Sequence, residues 1–296
     1  MKYISRIANT LQSAFVLFGK SYLKIFPFLI CYGICSFGID KVIPLSKKSI
    51  SIISLLNNFM QLLVYILFFC FIMVAVYQYY KKEPFKYLSI ISTGGKRFIP
   101  MFTAYLIAIF ITLGIILGSF VVIIMPTVVP IISASALQGN VVLTDMLESL
   151  MIDFVKQLLL GFKLGFLEIL SFSPLFLLNL VNHIYSGDIK TVEIIIIGIC
   201  FAIVLYFFTA GAFIIDKNLS AWSGLKTSLR LIHQNWLITF VIVLIWGFTI
   251  NILNWLLGYF IGSHSTQIIG LLTFSFGPCL MIVHCEKLLG HPLNSE

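Results

Sequence analysis

Residues that could do chemistry are scarce in this 296-residue chain, which holds 19 Lys and Arg and 11 Asp and Glu. The densest group is His284-Cys285-Glu286, and Cys31 and Cys35 lie one helical turn apart. Neighbouring residues point to different sides of a helix, and two thiols supply only half of a tetrahedral metal site. We therefore predict no metal and no cofactor, and we expect the cysteines to be small packing residues.

Asp216 is the one acid that closes an apolar run directly before an amphipathic segment. Lys217, Arg230 or the helix amides near Asn218 are its expected partners, which favours a structural role. The chain contains no His-Glu-x-x-His, Gly-x-Ser-x-Gly or P-loop pattern. The sequence therefore predicts a protein that is not an enzyme. Two or more carboxylates or histidines converging on one cavity would favour an enzyme instead.

The elements that carry these residues are apolar enough to lie in a membrane. Of all residues 60% are apolar and 10% are charged, and the mean hydropathy is +1.06. A helix of about 20 apolar residues crosses a bilayer. The sequence therefore predicts an all-α polytopic membrane bundle forming a single domain, 1–296. Its six expected spans are roughly 23–43, 55–80, 98–124, 194–215, 236–258 and 266–285.

The segment 133–190 does not fit that pattern, because charged and polar residues interrupt its apolar part between 155 and 185. A charge at mid-membrane costs at least about 2.5 kcal/mol. We expect 133–190 to be an insertion that leaves and re-enters the same side of the membrane.

The basic residues fall unevenly on the two sides of this six-span arrangement. With the N-terminus inside, 13 of the 19 Lys and Arg lie on the inner side. This distribution satisfies the positive-inside rule and predicts that both termini are cytoplasmic, in an inner membrane. The expected partner is the anionic headgroup layer of the inner leaflet. A nucleic acid partner is not expected, since there is no basic soluble domain.

Three amphipathic segments each run through a polar or basic joint into a span, which predicts three interfacial helices in a degenerate threefold repeat. The units are about 1–80, 81–215 with the insertion at 133–190, and 216–285. In the third, Lys226 and Arg230 lie opposite an apolar stripe, and Asn218 is the expected N-cap. That stripe consists of Trp222, Leu225, Leu229, Ile232 and Trp236. Such a helix lies in the membrane interface.

The other two segments have the same design. The first places Ile4, Ile7, Leu11, Ala14 and Phe18 on one face, and the second begins at Pro84, continues with Phe85, Leu88 and Ile91, and ends at Gly94-Gly95. Amphipathic joints also occur in polytopic proteins without repeats, so this alternative stays open.

Two stretches carry a resemblance to a known family. One is Phe213-Ile-Ile-Asp216-Lys217, continuing through Trp222, Lys226 and Arg230 to Asn235-Trp236, and the other is the run Val121–Pro130. They are similar to the YciC-type bacterial inner-membrane proteins of unknown function, and more distantly to the membrane domain attached to some glycerophosphodiester phosphodiesterases. The resemblance implies a compact six-span protein with a proline-containing turn at 121–130. No phosphodiesterase domain is present, so that activity does not carry over.

Two functions fit these features. The leading hypothesis is a non-enzymatic protein of membrane or envelope organisation, whose Trp222, Lys226, Arg230 and Trp236 face lipid. The alternative is a passive or substrate-driven permease for a small neutral or lipid-like solute. Its polar path would consist of Asn57, Gln61, Asn251 and Asn254. Hydrogen bonding between helices is the commoner use of such residues. Gly114 and Gly118 form a small-residue pair that suits close helix contact, either within the bundle or in a homo-oligomer.

Overall fold

The fold is all-α within the part of the chain that the computed structural model describes, which comprises residues 2–42, 52–136, 202–203, 205–261 and 265–290. The helices are α1 (Lys2–Val42), α2 (Ile52–Tyr80), α3 (Tyr87–Ala136), α4 (Ala210–Asp216), α5 (Ala221–Gln234), α6 (Trp236–Ile261) and α7 (Ser265–Leu288). These described residues contain no strand.

Five stretches are long and apolar enough to cross a membrane. They are Tyr3–Ile39, Phe59–Tyr80, Tyr87–Thr112, Trp236–Phe260 and Gly270–Leu288. The chain is therefore a membrane-embedded helical protein. The predicted fourth span, 194–215, lies partly outside the described residues and contributes the shorter apolar segment Leu205–Asp216. The count of six spans and the threefold repeat stay predictions.

The first two amphipathic segments are not separate helices. α1 continues through Pro27 for 41 residues, and α3 continues through Gly94 and Gly95, where the sequence predicted an end. Gly94 is instead a packing position, since a Cβ there would lie 2.5 Å from Cδ1 of Phe71 and 3.3 Å from its Cα. The glycine is needed because α3 approaches the backbone of α2 this closely.

The turn that the resemblance implies at Val121–Pro130 is wrong, because α3 continues as a helix to Ala136. In a bilayer, the polar backbone of an apolar segment satisfies its hydrogen bonds most readily as a helix. Each proline removes only one of those bonds. Most of the predicted insertion at 133–190 lies outside the described residues.

The core forms where α1, α2 and α7 pack together. α1 contacts α7 at Ser21 and Cys279, whose side chains lie 3.9 Å apart. Its later part contacts α2, and Tyr32, Tyr65 and Phe274 form an aromatic group where the three helices meet. Aromatic contacts of this kind contribute about 0.5–1.5 kcal/mol beyond the area they bury.

The two lysines that border the charge-free part of α1 contact aromatic rings. Lys24 Nζ lies 4.7 Å from the ring centre of Tyr79 and 5.3 Å from that of Phe85. Lys41 Nζ lies 5.4 Å from the ring of Phe37. A cation over an aromatic face gains electrostatic stabilisation at an interface where water is scarce.

The five cysteines that the structure describes divide into two groups, and Cys200 lies outside the described residues. Cys70, Cys279 and Cys285 are buried among apolar side chains, as expected for small packing residues. Cys31 and Cys35 are exposed on α1, so for them the expectation was wrong. They share that side with Ile30 and Ile34. In a membrane span, lipid accepts a small apolar side chain as readily as a protein core does.

α4 and α5 form a helical hairpin, hereafter the α4–α5 hairpin (residues 210–234). A turn at Phe208–Thr209 precedes it, and Asn235 leaves the helical conformation after it. Ser220 caps α5 by accepting a hydrogen bond from the amide of Ser223. The expected cap, Asn218, lies too early, with a positive φ of 57° in the loop.

The two arms of the hairpin pack closely. A Cβ on Gly224 would lie 2.6 Å from Cγ1 of Ile214 and 3.5 Å from the carbonyl oxygen of Ala210. Near the base, Ser228 Oγ donates to the carbonyl of Tyr206 at 2.8 Å and lies 2.9 Å from the hydroxyl of Thr209. Ser228 thus supplies a hydrogen bond to the carbonyl of Tyr206, which the turn at 208–209 leaves without a helical partner.

Candidate functional site

The polar side chains at one end of the bundle form a cluster centred on Asp216, which we call the Asp216 clasp. It comprises Tyr77, Lys81, Asp216, Lys217 and Glu286. Lys81 Nζ lies 2.5 Å from Oδ1 of Asp216, and Lys217 Nζ lies 2.8 Å from Oδ2. Only 6% of the Asp216 side chain is exposed, whereas the two lysines are 41% and 48% exposed. Both carboxylate oxygens are therefore paired, and the lysines reach towards water.

The clasp joins three helices. Lys81 follows the last turn of α2, and Asp216 ends α4. Tyr77, on α2, donates its hydroxyl proton to Oε1 of Glu286 on α7 at 2.7 Å and also contacts Asp216. Hydrogen bonds between a neutral donor and a carboxylate are stronger than those between neutral groups. The cluster thus connects the ends of α2, α4 and α7.

A second polar contact lies at the same loop. A guanidinium nitrogen of Arg97, on α3, donates to the side-chain oxygen of Asn218. Asn218 lies in the loop between α4 and α5 and has a left-handed backbone conformation. α3 is therefore also tied to the tip of the α4–α5 hairpin.

The electrostatics of the clasp favour an ionised Asp216. Burial alone would raise the pKa of this carboxyl, but the hydrogen bonds from Lys217 and Lys81 outweigh burial and hold it below the ordinary value of 3.8. The same contact with Asp216 raises the pKa of Lys217 above its usual 10.5. A carboxylate held this firmly is a poor proton acceptor, so the geometry is that of a structural ion pair.

α5 has two different faces rather than one apolar stripe. The residues Ala221, Gly224, Leu225, Ser228 and Ile232 are buried. Trp222, Leu229 and Trp236 are exposed at 62%, 44% and 53%, and Lys226 and Arg230 are exposed beside them. The predicted stripe is therefore divided, because Leu225 and Ile232 pack on protein. We call the remaining set, Trp222, Lys226, Leu229 and Arg230 together with Trp236 at the start of α6, the exposed face of α5.

The charges of this face have no protein partner among the described residues. Neither Lys226 nor Arg230 makes a hydrogen bond or ion pair there, in contrast to Lys81 and Lys217. Aromatic rings next to basic groups are typical of side chains at the membrane interface. The exposed face of α5 thus has the composition of a surface that meets lipid headgroups.

The residues proposed for a polar path are used differently. Gln61 is paired with Ser36 of α1: its side-chain oxygen accepts from the serine hydroxyl at 2.8 Å, and its amide donates to the serine carbonyl at 2.9 Å. This is helix-to-helix bonding, the reading the sequence favoured. Asn57 is buried in α2. Asn251 and Asn254 belong to α6, but their side chains lie outside the described residues.

His284, Cys285 and Glu286 do not converge. His284 Nε2 lies 2.8 Å from the hydroxyl of Thr239 on α6, whereas Glu286 bonds to Tyr77 on α2. The two side chains thus point to different helices, as helical geometry requires. No group of three or more His, Cys, Asp or Glu side chains that could hold a metal occurs within the described ranges.

Gly114 and Gly118 both lie on an open surface of α3. A Cβ built on either glycine meets no described residue within 4 Å. These glycines therefore make no close helix contact within the part of the bundle that the structure describes, and the proposed role in a homo-oligomer stays a prediction.

Sequence reasoning missed two members of the clasp, Tyr77 and Lys81. Both belong to the second span and its end, which appeared to be an ordinary apolar helix with an interfacial lysine. The only feature of the sequence that points to this contact is position, since Lys81 and Asp216 both end spans on the predicted inner side. Lys217 was among the expected partners of Asp216, and the structure confirms it.

Comparison with known proteins identifies no relative: no family model matches the chain, and no curated protein or solved structure is significantly similar to it.

Proposed function

We propose that this chain is a non-enzymatic inner-membrane protein, of the YciC type, that supports membrane or envelope organisation by binding the anionic inner leaflet. Both termini are cytoplasmic in this proposal. The exposed face of α5 carries it. Two tryptophans anchor that face at headgroup depth, and Lys226 and Arg230 each contribute about 1 kcal/mol near an anionic surface.

The packing of α5 supports this orientation. Gly224 packs on α4, and Ser228 bonds to Thr209 directly before α4, so the opposite side of α5 faces away from α4. The same end of the bundle carries Lys82, Lys86 and Lys96, all exposed. An anionic leaflet is the partner that suits a surface of exposed lysines interleaved with aromatic groups.

A paired substitution tests the proposal. Changing Lys226 and Arg230 together to Glu should lower the unfolding temperature in vesicles that contain anionic lipid, because two attractive contacts become repulsive. The same change should have little effect in zwitterionic vesicles. Ser223 and Thr227 changed together to Glu form the matched control, since they add the same acids without removing a basic group.

Equal losses in the two lipids would contradict the proposal, as would equal losses for the two double variants. Either result would mean that the exposed face of α5 does not respond to lipid charge.

The permease alternative has less support, because Gln61 already bonds to Ser36. One feature favours it: the apolar segment Leu205–Asp216 is interrupted at Phe208–Thr209, and interrupted helices often line transport sites. Solute uptake by purified protein in liposomes, abolished by Asn254→Leu, would favour the permease over the organising role.

A further inference from the structure

We propose that the groove between α1 and α3 binds one anionic phospholipid, whose phosphate meets Lys24 and whose acyl chain follows the stripe of α1 that leads to Cys35. This groove shares no residue with the exposed face of α5. It depends on the proposed function only for the anionic leaflet at this end of the bundle.

The groove forms because α1 and α3 both pack along α2 but make few contacts with each other. Side chains bridge the gap where α3 begins. The ring centres of Phe28 and Tyr87 lie 5.9 Å apart, and Lys24 Nζ lies 5.3 Å from the ring centre of Phe85. Phe71 of α2 lies beneath, with its ring centre 5.8 Å from that of Phe28. The groove thus has two helical walls and an aromatic floor.

Lys24 places a fixed positive charge at one end of this groove. Its Nζ lies 4.7 Å from the ring centre of Tyr79 as well as close to Phe85, and cation–π attraction holds it there. Lys24 is exposed, and it makes no hydrogen bond or ion pair with the residues that the structure describes. An ammonium carries three N–H donors, and a contact with ring faces leaves donors open. Lys24 is therefore a positioned cation that can still bind an anion.

The turn between α2 and α3 adds positive charge next to this cation. Lys82 and Lys86 are exposed there, and Glu83 is the one acid of the turn. Together with Lys24, these three lysines against one acid leave two positive charges in excess. Basic pockets between transmembrane helices bind the phosphates of lipid headgroups. The charge at this end of the groove thus suits a phosphate-bearing ligand.

Beyond Lys24, the walls of the groove are apolar and open. Phe28, Cys31 and Cys35 follow Lys24 at spacings of four, three and four, so all four residues lie on one stripe of α1. Both cysteines are exposed. On the other wall, Ile91 is 47% exposed and lies one turn further along α3 than the ring that meets Phe28. An apolar groove that continues from a fixed cation fits a phospholipid rather than free phosphate.

Native mass spectrometry of the purified full-length protein in a neutral detergent tests this site, since it counts bound lipids. The probe is phosphatidylglycerol, and it is compared with phosphatidylcholine of the same acyl chains and with inorganic phosphate. The variant is Lys24→Gln. The matched control is Lys20→Gln, because Lys20 is exposed one turn earlier on α1 and contacts no aromatic ring in the described part of the chain.

Wild type should retain one phosphatidylglycerol per chain. Its dissociation constant should rise about tenfold in Lys24→Gln, as expected for the loss of one hydrogen bond between charged groups, and less than about twofold in Lys20→Gln. Phosphatidylcholine should bind about tenfold more weakly than phosphatidylglycerol. An excess of inorganic phosphate should not displace the lipid, because it has no acyl chain to fill the groove.

Four results would overturn the proposal. Equal binding of the two lipids would show that the headgroup charge is not recognised, and displacement by inorganic phosphate would show that the groove holds no acyl chain. Unchanged binding in Lys24→Gln, or an equal loss in Lys20→Gln, would show that the position of Lys24 is not special.

A second measurement needs no variant and so does not depend on the folding of Lys24→Gln. Phosphatidylglycerol with a photoreactive diazirine in its acyl chain is cross-linked to wild type, and the labelled peptides are identified. Cross-links that an excess of unlabelled phosphatidylglycerol removes should lie near Cys31, Cys35 and Ile91. Competition confined to other helices would exclude the groove. The exposed face of α5 is unaltered in both experiments, so a failure here leaves the test of the proposed function standing.

Discussion

At the scale of single residues, Asp216 combines the features that matter most at this end of the molecule. It is the only described carboxylate that pairs with two lysines, one adjacent in sequence and one 135 residues away. The local pair adds little to folding, because the two residues are neighbours in the unfolded chain as well. The distant pair with Lys81 is the one that constrains the fold.

Asp216→Asn should lower stability by about 1–3 kcal/mol at neutral pH, since it removes the negative charge and replaces one of the two acceptor oxygens with a donor, which leaves one lysine of the clasp without its partner. Because the folded-state pKa of Asp216 lies below 3.8, its contribution is present above that pH. The contribution is lost as the pH falls through the folded-state value. The difference in unfolding temperature between wild type and variant, measured from pH 7 to pH 2.5, should therefore shrink in the acid range.

Glu83→Gln is the control for that titration. Glu83 is exposed in the loop after α2 that also carries Lys81, so its substitution should leave the unfolding temperature nearly unchanged. A difference between wild type and Asp216→Asn that grew with acidity would contradict the ionised state assigned to Asp216.

Gln61 gives a second test at this scale. Gln61→Leu removes two hydrogen bonds to Ser36 and should destabilise the α1–α2 contact by about 0.6–2 kcal/mol, the range of hydrogen bonds between membrane helices. Ser36→Ala should cost less, since the serine carbonyl remains as an acceptor. Unfolding in mixed micelles measures both, and identical stability of wild type and Gln61→Leu would refute the bonding role.

At the scale of elements, the period of the apolar residues predicted where helices form, but it did not predict whether each face of a helix meets protein or lipid. The spacing of Trp222, Leu225 and Leu229 correctly indicates a helix over 221–234. It does not show which part of the stripe meets protein and which part meets lipid, because both environments accept apolar side chains. Only the position of α4 separates Leu225, which is buried, from Trp222 and Leu229, which are exposed.

Two neighbouring glycines in α3 provide an element-scale prediction with a built-in control. Gly94→Ala should destabilise the α2–α3 contact by about 1–3 kcal/mol, because the new Cβ would overlap Phe71. Gly95→Ala meets no described atom within 4 Å and should stabilise the helix by up to about 1 kcal/mol. Unfolding temperatures of the two variants should therefore move in opposite directions, and a common direction would show that α3 does not approach α2 as described.

At the scale of the whole molecule, composition was sufficient to predict a helical membrane protein, because apolar helices of this length have few alternatives. The clasp was not predictable in the same way. Lys81 and Asp216 are adjacent only once α2 and α4 have packed, and no feature within either segment predicts that contact. The span count depends on 137–201, which lies outside the described residues.

Topology gives the whole-molecule prediction. Both termini should lie in the cytoplasm, and positions near 45, 140 and 263 should lie on the other side. Reporter fusions at each position measure this directly. A reporter that placed position 140 and the C-terminus on one side would contradict the six-span arrangement.

The contact between Ser21 and Cys279 spans 258 residues of sequence, and it has a consequence for biogenesis. At about 5–20 residues per second, ribosomes need roughly 13–50 s to synthesise the intervening chain. During that interval α1 is already made while its partner α7 does not yet exist. The nascent protein therefore passes through a stage in which the side of α1 that will meet α7 is covered by lipid, or by the cell's insertion machinery, until α7 has been synthesised.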